Sequence, residues 1–201
     1  IFRRPARLPE PPPFARAPRE AEAAVRVEDP AGCPRYGGQV VRGLRVGPSP
    51  WALRYRLHLL GVRAVSNLVD VTNEVLLLFS QPLHAFDLAQ VRGNAIVVRR
   101  ARDGETMATL DGLERRFTAD DLLICDGEGP VAVAGVMGGL SSEIRENTAD
   151  VLIECAHFDP RSIRRTSKRL GLSSESSYRF ERGTDRGGVP RPPQPSHDVA
   201  K

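Results

Sequence analysis

Leu53, Leu57 and Leu60 recur at i, i+4 and i+7, the spacing of one helical face. Ser49-Pro50 precedes Trp51 and offers a capping hydroxyl followed by proline at the first helical position, while Gly61 can close the helix. A second helix is predicted over 66–79, where Leu68, Val71, Val75 and Leu78 share a face and Pro82 prevents it from running on. The period then changes. Ala95–Arg99 is rich in β-branched residues, and Met107–Leu110 and Leu113–Phe117 flank Asp111-Gly112, a two-residue hairpin signal. Leu122–Cys125 and Val131–Val133 flank a second glycine-containing turn, and Val151–Cys155 reads as a further strand. Asp159-Pro160 opens a last clear helix that Gly171 ends. Helices, then hairpins, then a helix predict an α+β fold: a largely antiparallel, β-sandwich-like core flanked by helices.

The ends are different in kind. Residues 1–24 are rich in Pro, Ala, Arg and Glu, and 187–201 are again proline-rich, so both read as linker or tail around a folded domain at 25–186. The chain begins on Ile1 rather than methionine, and the expectation is a piece of something longer.

Composition narrows the partners. At 40% hydrophobic and 27% charged residues the chain reads as an ordinary soluble domain, and no apolar run approaches membrane-spanning length. A net charge of +4 mildly favours an anionic partner. Aromatics make up only 5%, which argues against a base-stacking surface. Cys33, Cys125 and Cys155 are scattered, odd in number and form no CxxC, which argues against a disulfide framework or zinc site and points to a reducing, cytoplasmic setting.

Several residue groups carry possible chemistry. Thr72, Asn73 and His84 gather a hydroxyl, a carboxamide and an imidazole at the end of the second helix pattern and just beyond it. Polar groups beside an apolar segment suit a small-molecule pocket; equally, Thr72 and Asn73 can cap backbone near a helix end, and His84 can be structural. In a strand, Leu152, Glu154 and Ala156 share one face. A carboxylate there needs a donor or water. It is either a functional acid or an edge-facing glutamate paired with one of the 29 Lys and Arg residues. The glycines of GVMGG (Gly135–Gly139) allow a tight turn or close ligand approach, without the GK[ST] of a phosphate loop. Arg161, Arg164, Arg165, Lys168 and Arg169 fall on a single helical face, suited to a phosphate backbone or simply a solvated stripe.

In order along the chain stand SNLVDVTN, QPLHAFDL, GETMATLDGLERRF, AVAGVMGG, TADVLIECAHFDP and IRRTSKRLGLSSESSYRFERGTD. This run, nearly continuous from Gly61 to Asp185 with weaker similarity back to about Val25, resembles the tRNA-editing domain of the β subunit of bacterial phenylalanyl-tRNA synthetase. The resemblance implies a domain that hydrolyses tyrosine wrongly attached to phenylalanine tRNA. It implies that Glu154 reads the tyrosine hydroxyl, and that His84 and Thr72 position the ester and water. Asn73 and Ser174 would complete the polar pocket, and Gly135 and Gly138 a bare wall against the substrate. It implies no metal or cofactor for this domain, with ATP and Mg2+ acting at the α subunit, and it implies phenylalanine tRNA and an α2β2 assembly as partners. Glu74 departs from the family, which has a nonacidic residue there, close to the expected pocket. The alternative is a non-catalytic tRNA- or partner-binding module of the same descent.

Overall fold

The fold, seen in a computed structural model that describes residues 23–189, is organised around two sheets that share one core. The first has five strands in the order β1 (Ala24–Val27), β4 (Ala95–Arg100), β7 (Leu122–Cys125), β8 (Pro130–Val133) and β9 (Met137–Gly138). The second sets β10 (Val151–His157) between β2 (Arg35–Val41) and β3 (Leu83–Asp87). A small hairpin, β5 (Thr106–Ala108) with β6 (Glu114–Arg116), stands apart. Pairing is antiparallel except between β1 and β4. Four α-helices complete the described residues: α1 (Trp51–Leu59), α2 (Asn67–Phe79), α3 (Pro160–Leu170) and α4 (Glu175–Phe180). The α+β expectation holds.

Leu122, Leu123, Ile124 and Cys125 are all buried, so β7 is covered on both faces and reads as a continuous apolar run rather than an alternation. Tyr36, Phe86, Leu152 and Ala156 of the smaller sheet belong to the same cluster as Ile96, Val98 and Val131 of the larger. Each fully buried side chain of that size contributes about 1.5–3 kcal/mol relative to exposure.

The helix boundaries follow local chemistry. Ser66 Oγ accepts from Val69 N at the start of α2, and Asp159 Oδ2 accepts from Ser162 N at the start of α3, at 2.8 Å. Such caps are worth about 1 kcal/mol each. Gly171 ends α3 in the left-handed conformation, as expected. Ser49 does not cap α1. Its hydroxyl instead donates to the buried Asp70 carboxylate at 2.5 Å, and Val65 N donates to the other oxygen at 2.8 Å. One buried acid therefore ties the approach to α1 to the body of α2.

Other expectations need correction. Asp111-Gly112 is not a two-residue hairpin loop: the last ladder pair is Ala108 with Glu114. Thr109 is drawn off into a bridge with Gly139, and the Asp111 carboxylate accepts from Thr109 Oγ1 at 2.6 Å to brace a wider turn. Strands β1, β2 and β3 escaped the pattern. Gly37 and Gly38 interrupt the alternation of β2, and His84 lies within a strand rather than in a segment trailing a helix. The helix at Asp159 is followed by another, α4. Most of the proline-rich segments 1–24 and 187–201 lies outside the described residues; within them Ala24 already belongs to β1 and Val189 is buried.

Candidate functional site

Glu154 stands in the centre of β10, opposite Gly38 on β2 and His84 on β3. Leu152 and Ala156 share its buried face, and Glu154 itself is only 4% exposed. Its partner is not a cation. Tyr36 Oη donates to Glu154 Oε2 at 2.8 Å, and no Lys or Arg pairs with it among the described residues. The edge-facing reading fails because β10 is the middle strand. Burial pushes the Glu154 carboxyl up to about 7, the Tyr36 hydroxyl working in the opposite direction. The Tyr36 phenol is itself held well above its ordinary value, first by burial and then by Glu154.

Across the ladder, the His84 ring meets Phe86 edge to face, centroids 4.5 Å apart. Burial lowers its pKa to about 4, so the imidazole is neutral at physiological pH and keeps one ring nitrogen as an acceptor. Gly138 faces this ring: a Cβ there would lie 2.7 Å from His84 Cε1. Gly135 has a different reason to be bare. Its φ is +66°, and a Cβ would lie 2.9 Å from Phe158 and 3.0 Å from Phe180, the two rings packed edge to face at 5.0 Å. Each glycine is thus required by a protein neighbour, whatever ligand approaches.

Two adjoining spaces meet at the imidazole. A narrow inner cavity of about 60 Å³ is lined by Glu154, Gly135, Met137 and Phe180, and an outer one of about 460 Å³ by Thr72, Asn73, Asp111 and Ser174. His84, Gly138, Ser176 and Met137 itself border both. The seven pocket residues expected from the sequence are therefore gathered in one place. Their hydrogen-bonding capacity is unequal. Thr72 lies in the middle of α2, not near its end, and its hydroxyl donates to Val69 O at 2.8 Å. Ser174 Oγ caps α4 by accepting from Ser177 N and donates to Val136 O at 2.7 Å. The Asn73 amide has no partner among the described residues and lies at the outer space. Glu74 does not enter it, because Arg56 of α1 engages its carboxylate at 2.5 Å.

Tyr36, Ser176 and Asp111 carry no sequence signal that marks them as pocket residues. Tyr36 stands before two glycines with no periodic signal, and Ser176 is one of a run of serines. Asp111 reads in the sequence as a turn residue only. Its carboxyl is held down at about 2, first by Thr109 and then by Arg115, whose guanidinium pairs with it at 2.6 Å and balances its charge. The three cysteines are free, and burial pushes their thiols up to about 12, 12 and 11. A thiolate nucleophile at neutral pH is thereby disfavoured. Among the described residues no group of three or more His, Cys, Asp or Glu side chains is placed to hold a metal ion.

The five cations of α3 are all exposed, opposite buried Ser162, Ile163, Thr166 and Ser167. None lines either cavity. Arg165 donates to Asp120 O, and Arg169 pairs with the buried carboxylate of Asp121, which also accepts from Thr166 Oγ1 at 2.8 Å. Arg161, Arg164 and Lys168 have no ion pair among the described residues. No helix among the described residues is long and apolar enough to cross a membrane.

Comparison with known proteins places the chain in a family. The B3/4 domain family matches residues 32–191. The chain is 54% identical over 168 residues to the phenylalanine–tRNA ligase β subunit of Geobacter sulfurreducens, covering 84% of this chain and 21% of that protein. It is 53% identical over 184 residues to the same subunit of Anaeromyxobacter dehalogenans, covering 91% and 23% respectively. The chain thus spans about a fifth of the length of these relatives. An N-terminal fragment of the phenylalanyl-tRNA synthetase β subunit from Pyrococcus horikoshii has a similar fold, with a TM-score of 0.53 at 14% identity over 81% of this chain and 52% of that one.

Proposed function

This chain belongs to the B3/4 domain family, and from that premise we propose that it is the editing part of a phenylalanine–tRNA ligase β subunit, hydrolysing tyrosyl esters of phenylalanine tRNA. The observation that carries the proposal is Glu154: a buried carboxyl with Oε2 held by Tyr36, lining a narrow cavity beside a neutral imidazole. A synthetic site that binds phenylalanine rejects tyrosine poorly, because an apolar pocket discriminates weakly against one added hydroxyl. A second site that rewards the hydroxyl solves the problem. In it the phenol of the substrate donates to the remaining oxygen of Glu154, while phenylalanine leaves that oxygen unpaired at a cost of about 1–3 kcal/mol or more.

The reaction needs little else from the chain. Water adds to the ester carbonyl and the bond to the terminal ribose oxygen breaks; one water proton leaves on that oxygen, and the other is released to solvent as the amino acid ionises to a carboxylate. His84 accepts a hydrogen bond from the attacking water and fixes its approach. Asn73, whose amide is uncommitted, donates toward the ester carbonyl. With its pKa near 4, His84 is a weak base, so positioning supplies more of the rate than proton abstraction does. The exposed α3 cations Arg161, Arg164 and Lys168 hold phosphates of the tRNA at a distance from the cavity. The α subunit, with its ATP and Mg2+, belongs to the same proposal as the partner that carries out aminoacylation.

The test is deacylation of tyrosyl-tRNA specific for phenylalanine by the purified chain, with the phenylalanyl form as control. Selective loss of the tyrosyl ester, abolished by Glu154→Ala, is the expected result. Tight tRNA binding with neither ester cleaved would replace the proposal by a non-catalytic tRNA-binding module.

A further inference from the structure

The water-facing side of α1 carries the chain's single tryptophan. Trp51 is 72% exposed and lies parallel to Tyr55, which is 48% exposed, with ring centroids 4.9 Å apart and 8° between the planes. Leu53 and Leu57 supply the helix's buried contacts, so the two rings are not needed to hold α1 in place. They border a surface groove of about 680 Å³ whose walls include Arg54, His58 and Arg63 and no carboxylate. Neither Arg54 nor Arg63 has an ion pair among the described residues, whereas Arg56 on the same helix is engaged by Glu74.

We propose that Trp51 and Tyr55 form a stacking platform for an unpaired base of a single-stranded RNA segment, with Arg54 and Arg63 meeting its phosphates. One indole face is taken by Tyr55, and the outer one is open to extend the column. Base-on-aromatic stacking beside unpaired guanidiniums is the combination by which single strands are held without sequence reading. Charge selects this occupant over a second copy of the chain. A two-fold pairing through this face would bring the same arginines against themselves. Aromatics are few in the chain, yet two of them are set together outside the core. This inference shares with the editing proposal only its RNA partner, and no residue of the groove lines the cavity at Glu154.

Trp51 is its own reporter. An unstructured oligoadenylate is titrated into the full chain while tryptophan emission is followed, with inorganic polyphosphate as a control for charge alone. Saturable quenching by the RNA and none by polyphosphate is expected. In parallel, anisotropy of labelled RNA should show about tenfold weaker binding for Trp51→Ala, equivalent to ~1.4 kcal/mol, with most binding kept by Trp51→Phe. Circular dichroism checks that the exposed substitution leaves the fold intact. Absent quenching, equal quenching by polyphosphate, or unchanged RNA binding by the alanine variant would overturn the platform. So would emission that changes with protein concentration alone, which would mean that a second copy covers the face. The RNA is unacylated, so failure of ester hydrolysis leaves this result standing, and failure here leaves the hydrolysis assay untouched.

Discussion

His84 and Glu154 stand directly across from each other on neighbouring antiparallel strands, and burial shifts their protonation in opposite senses. The Glu154 carboxyl, raised to about 7 from an ordinary 4.5, holds its proton more tightly folded than unfolded. Its stabilising contribution is complete below the unfolded value and is lost as pH rises through the folded one. His84, lowered to about 4 from 6.5, behaves inversely: its contribution is present above the unfolded value and is lost as pH falls through the folded one. Each is on the order of 3 kcal/mol. Denaturant titrations at several pH values should therefore show Glu154→Gln gaining stability relative to the parent as pH rises from 4.5 to 7. His84→Asn should lose ground relative to the parent from pH 4 to 6.5. Parallel curves for parent and variants would show that these groups are not buried as described.

The Tyr36 hydroxyl opposes the effect of burial on Glu154. Tyr36→Phe is expected to move the apparent pKa in the pH profile of tyrosyl-ester hydrolysis upward, because the carboxylate loses its one neutral donor. Glu154→Ala should reduce preference for the tyrosyl ester by roughly tenfold to a hundredfold, the worth of a hydrogen bond to a charged group. Equal rates on both esters in the parent protein would exclude Glu154 as the selector.

The two glycines should respond differently. Gly138→Ala puts a methyl 2.7 Å from the His84 ring, so hydrolysis should fall steeply at a stability cost of about 1–3 kcal/mol. Gly135→Ala meets Phe158 and Phe180 at a positive φ and should lose more stability, by about 2–4 kcal/mol when strain and overpacking combine. Thermal unfolding and single-turnover deacylation on the same samples separate the two; a reversed order would contradict the packing given above.

Only part of the α3 stripe is free to meet phosphates. Replacing Arg161, Arg164 and Lys168 with alanine should weaken tRNA binding and flatten its salt dependence, by up to about 0.9 in log–log slope per lost contact. Arg169→Ala acts differently, leaving the buried Asp121 without its cation; it should cost about 2–3 kcal/mol of stability. If the triple variant binds tRNA with an unchanged salt slope, the stripe is a solvated surface.

How much of this was legible in the sequence depends on the residue. Leu152, Glu154 and Ala156 announced their shared face by alternation, and Asp159, Pro160 and Gly171 marked both ends of α3. The class of fold followed from the change of period along the chain, and the gathering of Thr72, Asn73, His84 and Glu154 from ordered motifs. Tyr36 did not, because its meaning arises only when β2 pairs with β10, 118 residues away. Nor did the separate duties of Gly135 and Gly138, which lie three positions apart but face an aromatic pair and an imidazole respectively. Ser49 misled for a similar reason: a buried carboxylate on α2 outcompeted the helix end for its hydroxyl.

Strand β10 is the one element joining β2 to β3 in their sheet, and it is the last strand of the described chain. A nascent polypeptide that has not yet reached Val151 holds two strands with bare edges and no acid between them. Such edges invite pairing with other chains, so premature termination upstream of β10 is both an aggregation hazard and a complete loss of the pocket. The same strand that supplies Glu154 also covers the facing edges of β2 and β3, leaving only their outer edges unpaired in the sheet. Assembly of the sheet and arrival of the acid are a single event, and a chain with β2 and β3 paired through β10 already has Glu154 in place.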